Sequence, residues 1–260
     1  MFPLTLDLLR SRRAMLLGIC AALLLTSIGY LALYPSFDEQ LQGLAEDLPD
    51  AYKAFIGDVD IATPEGYIRS QVYSLLAPLL IAGATIAAGS GLARAERDKS
   101  LAVLTMTPVS RSKIAASWLL FIVIVAGVGG LMAFIGVLIG GPIAGAEVGV
   151  ARVLLATAPL IVFGALIGSA TLLTSALSGA PSMATGVGWM TILLSFLANS
   201  LANLIDNLGW LSNISPWSWH GAGEAITTDF GLTGFLLLII ATAGAGVGAV
   251  IAFSRRNLHL

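Results

Sequence analysis

Few residues of this 260-residue chain are of kinds that do chemistry, and their spacing argues against the familiar sites one by one. The only histidines, His220 and His259, leave no membrane-embedded metal site and no Ser–His pair to build. Ala88-Gly89-Ser90-Gly91 comes near the G-x-S-G of intramembrane serine proteases, but it lacks the first glycine and no later apolar stretch brings a histidine base. No G-x-x-x-x-G-K-S/T phosphate loop occurs, so ATP is not held by that route. Asp58 and Asp60 are neighbouring carboxylates without EF-hand spacing. The lone Cys20 excludes an internal disulfide. No catalytic residue, no metal ligand set and no cofactor is therefore expected in the chain itself.

One stretch stands out instead. The twenty residues Arg94–Lys113, RAERDKSLAVLTMTPVSRSK, hold five of the thirteen basic residues and sit between two strongly apolar runs. Leu101, Leu104 and Pro108 stand at i, i+3 and i+7, so the leucines begin an apolar edge on a short helix. Thr107, just before a proline, is pushed toward extended backbone and ends that helix. Ser110 is placed to cap the next one. A rigid helix tied to a membrane span at each end passes movement on with little slack. Arg94, Arg97, Arg111 and Lys113 serve equally well as anchors near lipid headgroups. The leucines and the Thr107-Pro108 stop carry the reading of a coupling helix.

The elements that must position this loop are membrane helices. Mean hydropathy is +0.91, with 57% hydrophobic and 11% charged residues, whereas soluble domains carry about 25% charged residues. A helix needs about 20 apolar residues to cross a bilayer. Six stretches qualify: residues 14–34, 73–93, 114–140, 152–177, 183–205 and 232–253. The first follows Arg10, Arg12 and Arg13 but outruns the apolar core of about 7–15 residues in a signal peptide, so it reads as a retained span. Ser178-Gly179-Ala180-Pro181-Ser182 is a tight turn that makes the fourth and fifth spans an antiparallel hairpin.

With the N-terminus in the cytoplasm, ten Lys and Arg fall inside and three, Lys53, Arg69 and Arg152, fall outside. The positive-inside rule then places both termini and the 94–113 loop in the cytoplasm. The spans carry no buried Asp, Glu or His relay of the kind that marks ion-coupled carriers. Gly136 and Gly140, Gly164 and Gly168, and Gly244 and Gly248 stand four apart and read as close helix packing within the chain. The fold class expected is an all-α integral membrane protein of the cell membrane: six transmembrane helices in a single domain, residues 1–260.

Two external segments complete it. Residues 35–72 read as a small acidic cap, with Phe37, Leu41, Leu44 and Leu48 at helical spacing and a second short helix restarting at Pro49. Residues 206–231 carry Trp210, Trp217 and Trp219 around Ser215-Pro216, which reads as a loop dipping into or lying along the outer leaflet, where tryptophan is favoured. Residues 3–13 read as an interfacial helix leading into the first span.

The 94–113 loop resembles that of permease subunits of type-2 ABC exporters, whose form is E-E-x-x-G-T-L-E-x-L-L-x-x-P-V-S-R. Anchored on Pro108-Val109-Ser110-Arg111, the likeness takes in Glu96, Arg97, Ser100, Leu101, Leu104 and Thr107. Lys99 stands where the pattern has glycine and Ala102 where it has its second glutamate. The six spans, the position of the loop and the Ser215-Pro216 segment fit along the whole chain. The resemblance implies an exporter half: two permease units form the pathway and separate ATPase subunits, holding ATP and Mg, drive it. Glu96, Arg97, Leu101, Leu104, Thr107, Pro108 and Arg111 would then couple to the ATPase, with the N-terminal helix a second contact. Spans poor in polar groups suit a lipophilic or amphipathic cargo. Nothing in the chain calls for a nucleic-acid partner. The competing reading is a membrane-integral assembly or regulatory protein with no pathway of its own.

Overall fold

In a bilayer an apolar stretch can satisfy its backbone N–H and C=O groups only within itself, and this imposes helix on most of the chain. The computed structural model describes residues 2–47, 60–100 and 109–256, and every regular element in them is helical. A short helix α1 (Phe2–Ser11) precedes the first span, α2 (Arg13–Asp47). The second span is built from four pieces: α3 (Pro64–Tyr67), a π-helical stretch Ile68–Leu76, α4 (Ala77–Gly89) and α5 (Gly91–Arg97). The third, fourth and fifth spans are α6 (Arg111–Ile143), α7 (Val150–Ser178) and α8 (Pro181–Leu204). Two 3₁₀ turns, Asp206–Ile214 and Gly221–Ile226, flank the one-turn helix α9 (Pro216–Trp219), and α10 (Leu232–Arg255) is the sixth span. The six helices expected from hydropathy are all present and all long enough to cross a membrane.

Contacts between distant residues separate the two ends of the bundle. At the basic end Arg256 meets Glu96, Arg111 donates to the Arg256 carbonyl, and Thr5 donates to the Ser117 carbonyl. At the other end Glu65 accepts from the Glu147 amide, Arg152 donates to the Ile226 carbonyl, and Arg69 meets Glu224. The chain therefore alternates direction from span to span.

The fourth span is the hub. It packs against the second, third, fifth and sixth spans; 56% of its apolar window is buried and 61% of the second span's, against 17% for the fifth and the sixth, whose remaining faces are left to the bilayer or to a partner. Close approach to the hub depends on glycine: a Cβ on Gly164 would run into Ile81, and one on Gly168 into Ile122 and Thr85. Gly136 and Gly140 likewise admit Ser27 and Leu31 of the first span. The third pair differs, since Gly244 has nothing within 4 Å and Gly248 only ordinary contact with Leu173.

Several details depart from the sequence reading. The second span's helix begins at Pro64, so residues 64–72, read as part of the external cap, belong to it. Helix α2 runs on through Pro35 to Asp47 rather than stopping at Tyr34. Proline removes one hydrogen bond and need not end a helix. Ser110 does stand at the N-cap of α6, but its hydroxyl caps no amide and lies 3.2 Å from the Ser112 hydroxyl. The second cap helix, from Pro49 to Ile56, lies outside the described residues.

Candidate functional site

The candidate site is the root of the 94–113 loop. Its central residues Leu101, Leu104, Thr107 and Pro108 lie outside the described residues, while both ends of the loop are defined. Helix α5 continues the second span after a break at Ser90, whose hydroxyl accepts from Arg94 Nη2 at 3.0 Å. It closes with the Asp98 amide donating to the Arg94 carbonyl and the Lys99 amide to the Glu96 carbonyl. The Ser100 hydroxyl donates to the Ala95 carbonyl at 3.0 Å. Lys99 has φ +58°, the left-handed conformation that ends many helices and that glycine adopts at little cost.

That observation explains a departure seen in the sequence. The exporter pattern has glycine at this position, and Lys99 takes up the glycine conformation. Lys99→Gly is expected to raise the stability of the purified protein by about 1 kcal/mol, and Lys99→Val to lower it, because the left-handed region is costlier for a β-branched side chain. Thermal unfolding of the two variants side by side checks this.

Glu96 and Arg97, adjacent in sequence, do different jobs. Arg97 points outward, with its side chain 65% exposed, and among the described residues it pairs only with Asp98, at 3.5 Å. An exposed pair of this kind contributes little to stability, so Arg97 stays available to a partner. Glu96 turns inward and is 8% exposed, with Oε1 accepting from Arg256 Nη2 at 2.6 Å. Arg256 also donates to the Ser175 carbonyl at 3.4 Å and to the Ala176 carbonyl at 3.2 Å. These belong to the last turn of α7, where the helix dipole favours a cation; the Ser175 carbonyl also accepts from the Gly179 amide at 3.0 Å. Gly179, at φ +64°, has no Cβ where the Arg256 guanidinium lies. Arg111, at the start of the third span, donates to the Arg256 carbonyl at 2.6 Å. A further bond, Ser175 Oγ to the Gly89 carbonyl at 2.8 Å, ties the second span to the fourth just beneath.

The root of the loop is thus stitched to the second, third, fourth and sixth spans through one arginine. Sequence reasoning counted Arg256 only as a topological charge. The available signal was Glu96, one of three carboxylates on the basic side and in need of a partner if buried.

At the opposite end the Trp-rich segment forms a lid over the second and fourth spans. Ser215 caps α9 through the Ser218 amide and donates to the Ser195 carbonyl at 2.6 Å. Trp217 is buried against Phe163 and Phe196. Trp210 is exposed, and Trp219 Nε1 donates to the Asn213 carbonyl at 2.9 Å. His220, which sequence analysis left without a role, is 2% exposed.

Its place follows from backbone register. Ala77 donates to the Val72 carbonyl in π fashion, so the Tyr73 carbonyl would look next to Pro78, which has no N–H. His220 Nε2 stands 3.3 Å from that carbonyl instead, while Nδ1 faces the Trp217 carbonyl at 2.5 Å. Burial holds the His220 pKa below its usual value, and the two carbonyls partly offset this. Glu224, on the same lid, has its carboxyl pushed up by burial, with Arg69 pulling the other way. The Tyr73 hydroxyl donates to Thr157 Oγ1 at 2.8 Å, since Thr157 spends its own proton on the Val153 carbonyl. Arg69 Nη1 donates to Thr227 Oγ1 at 2.9 Å and completes the latch.

Among the described residues no three His, Cys, Asp or Glu side chains gather as a metal ligand set. A family model described as the C-terminal domain of multidrug efflux system permease Rv1217c matches residues 3–254. No curated protein matches the chain.

Proposed function

The chain belongs to the family of the C-terminal domain of multidrug efflux system permease Rv1217c, and we propose that this permease is the membrane half of an ATP-driven exporter of the ABC-2 type. Separate ATPase subunits, with ATP and Mg, would drive it through the Arg94–Lys113 loop. The observation that carries the reading is the stitched root. One ion pair and the hydrogen bonds around Arg256 join the loop to four spans, while Arg97 and Lys113 on the same loop stay exposed. A force applied to the exposed part of the loop would reach the second, third, fourth and sixth spans together.

The pathway in this reading runs between two permease units. The interior of one unit is filled: Leu23, Ile81, Phe121, Phe163 and Leu172 are fully buried in its packed clusters. The matched family is a domain of a permease, which suits a six-span unit that completes its pathway with a second one, identical or not. The efflux system named by the family, together with spans poor in ionisable groups, favours a lipophilic or amphipathic substrate.

Reconstitution tests the proposal. In proteoliposomes holding the permease and an ABC ATPase that co-purifies with it, export of a lipophilic dye is expected to require ATP hydrolysis. Equal flux without ATP, or without the ATPase, would replace the exporter with a channel or an ion-coupled carrier.

A further inference from the structure

At the basic end a crevice of about 470 Å³ opens between α1 and the roots of the second and third spans. Its lining is two-faced. Leu4, Leu8, Ile114 and Trp118 supply an apolar wall, and Arg12 and Arg94 supply two guanidinium groups. The arginines are brought together by packing. Gly91 has no Cβ where the Trp118 ring and Arg12 Nη2 lie, and Arg94, three residues further along, shares that helix face. Arg12 sits 5.9 Å above the Trp118 ring. Among the described residues neither arginine has a carboxylate within ion-pairing distance. Arg94 spends one donor on Ser90 Oγ. The carboxylates that also line the crevice, Asp7 and Asp98, are exposed, and Asp98 already faces Arg97.

Two guanidinium groups thus share a half-buried crevice, and although Asp7 and Asp98 stand at its exposed rim, no carboxylate among the described residues pairs with either. The cost registers on Arg12, whose pKa is lowered first by burial and then by Arg94. The charge count puts this crevice at the cytoplasmic edge of the bilayer, where anionic headgroups concentrate beside acyl chains. Guanidinium groups bind phosphate oxygens in a bidentate fashion.

We propose that this crevice is a binding site for an anionic phospholipid of the cytoplasmic leaflet, its phosphate held by Arg12 and Arg94 and its acyl chains lying along Leu4, Leu8 and Ile114. The bound lipid would fix α1 against the second and third spans, next to the loop root. The inference rests on membrane embedding and orientation alone, so it survives or fails independently of the ATPase-driven reading.

The test compares phosphatidylglycerol, phosphatidylcholine and inorganic phosphate, each added to the full chain in neutral detergent. Native mass spectrometry is expected to show phosphatidylglycerol retained over phosphatidylcholine by about tenfold, with a matching rise in melting temperature. Arg12→Gln/Arg94→Gln should abolish that preference. Arg10→Gln/Arg13→Gln, which removes the same charge from exposed positions, should leave it intact. The proposal is overturned if the two double variants lose the preference equally, since that marks a diffuse charge effect. It is also overturned if inorganic phosphate alone reproduces the shift, or if phosphatidylcholine binds as well. If Arg12→Gln/Arg94→Gln fails to fold, the single variants Arg12→Gln and Arg94→Gln take its place against Arg10→Gln/Arg13→Gln, each expected to weaken the preference where the control does not.

Discussion

Arg256→Ala is expected to destabilise the folded chain by about 3–5 kcal/mol, the cost of leaving a buried charge without its partner. Glu96 is 8% exposed. Its Oε2 already lies buried without a hydrogen-bond partner, so Oε1 and Arg256 together carry its compensation. Losing Arg256 strands the carboxylate and also removes a donor from the Ser175 and Ala176 carbonyls at the end of the fourth span, although the Ser175 carbonyl keeps the Gly179 amide. Glu96→Gln should cost less, because the amide oxygen still accepts from Arg256 and no charge is left uncompensated on the buried side. Combining Glu96→Gln with Arg256→Ala should recover part of the loss, and that non-additivity is the signature of direct coupling. Arg255→Ala, one residue away and exposed, should stay within about 0.5 kcal/mol of the parent. Thermal unfolding in detergent reads all four. Equal effects of Arg255→Ala and Arg256→Ala would mean that the pair does not hold the loop root.

The second large effect is expected in function rather than stability. Leu101→Asp/Leu104→Asp should reduce ATP-coupled transport at least a hundredfold, equivalent to about 2.7 kcal/mol of lost coupling free energy. In the proposed mechanism these leucines enter an apolar groove on the ATPase. A carboxylate buried there without a partner costs several kcal/mol, and two side by side repel each other as well. Because the leucines would face a partner rather than the core, the double variant should unfold within a few degrees of the parent. Transport measured with the ATPase present, set against thermal unfolding of the permease alone, separates the two effects. A variant that transports normally removes the leucines from the coupling step. One that fails to fold assigns them to the permease's own structure.

The large-scale architecture was legible because its causes are written residue by residue. Hydropathy over bilayer-length windows marks the six helices, and the Lys and Arg count orders their ends. The loop root was not legible, because it depends on a pair 160 residues apart in sequence. Nothing in RAERDKS says that Glu96 turns inward while Arg97 turns outward; that follows from where the sixth span ends. Lys99 lies between these cases. The glycine of the exporter pattern that the loop resembles marked the position, and only the backbone angle gave the reason. At the opposite end His220 was a lone histidine in an external loop. Its partner is a carbonyl freed by a shift to π register ahead of Pro78, which a hydropathy window does not register. Trp217 illustrates the same limit: tryptophan composition pointed to the membrane interface, whereas the ring is enclosed by Phe163, Phe196 and His220.

The central claim is that this permease meets a separate ATPase through the Arg94–Lys113 loop, and co-purification tests it most directly. The chain, affinity-tagged and expressed with the genes beside it, is expected to retain an ATPase subunit through solubilisation. Leu101→Asp/Leu104→Asp is expected to lose that subunit while still purifying as a folded protein. Recovery of the wild-type chain without any ATPase, or equal retention by the double variant, would contradict the account.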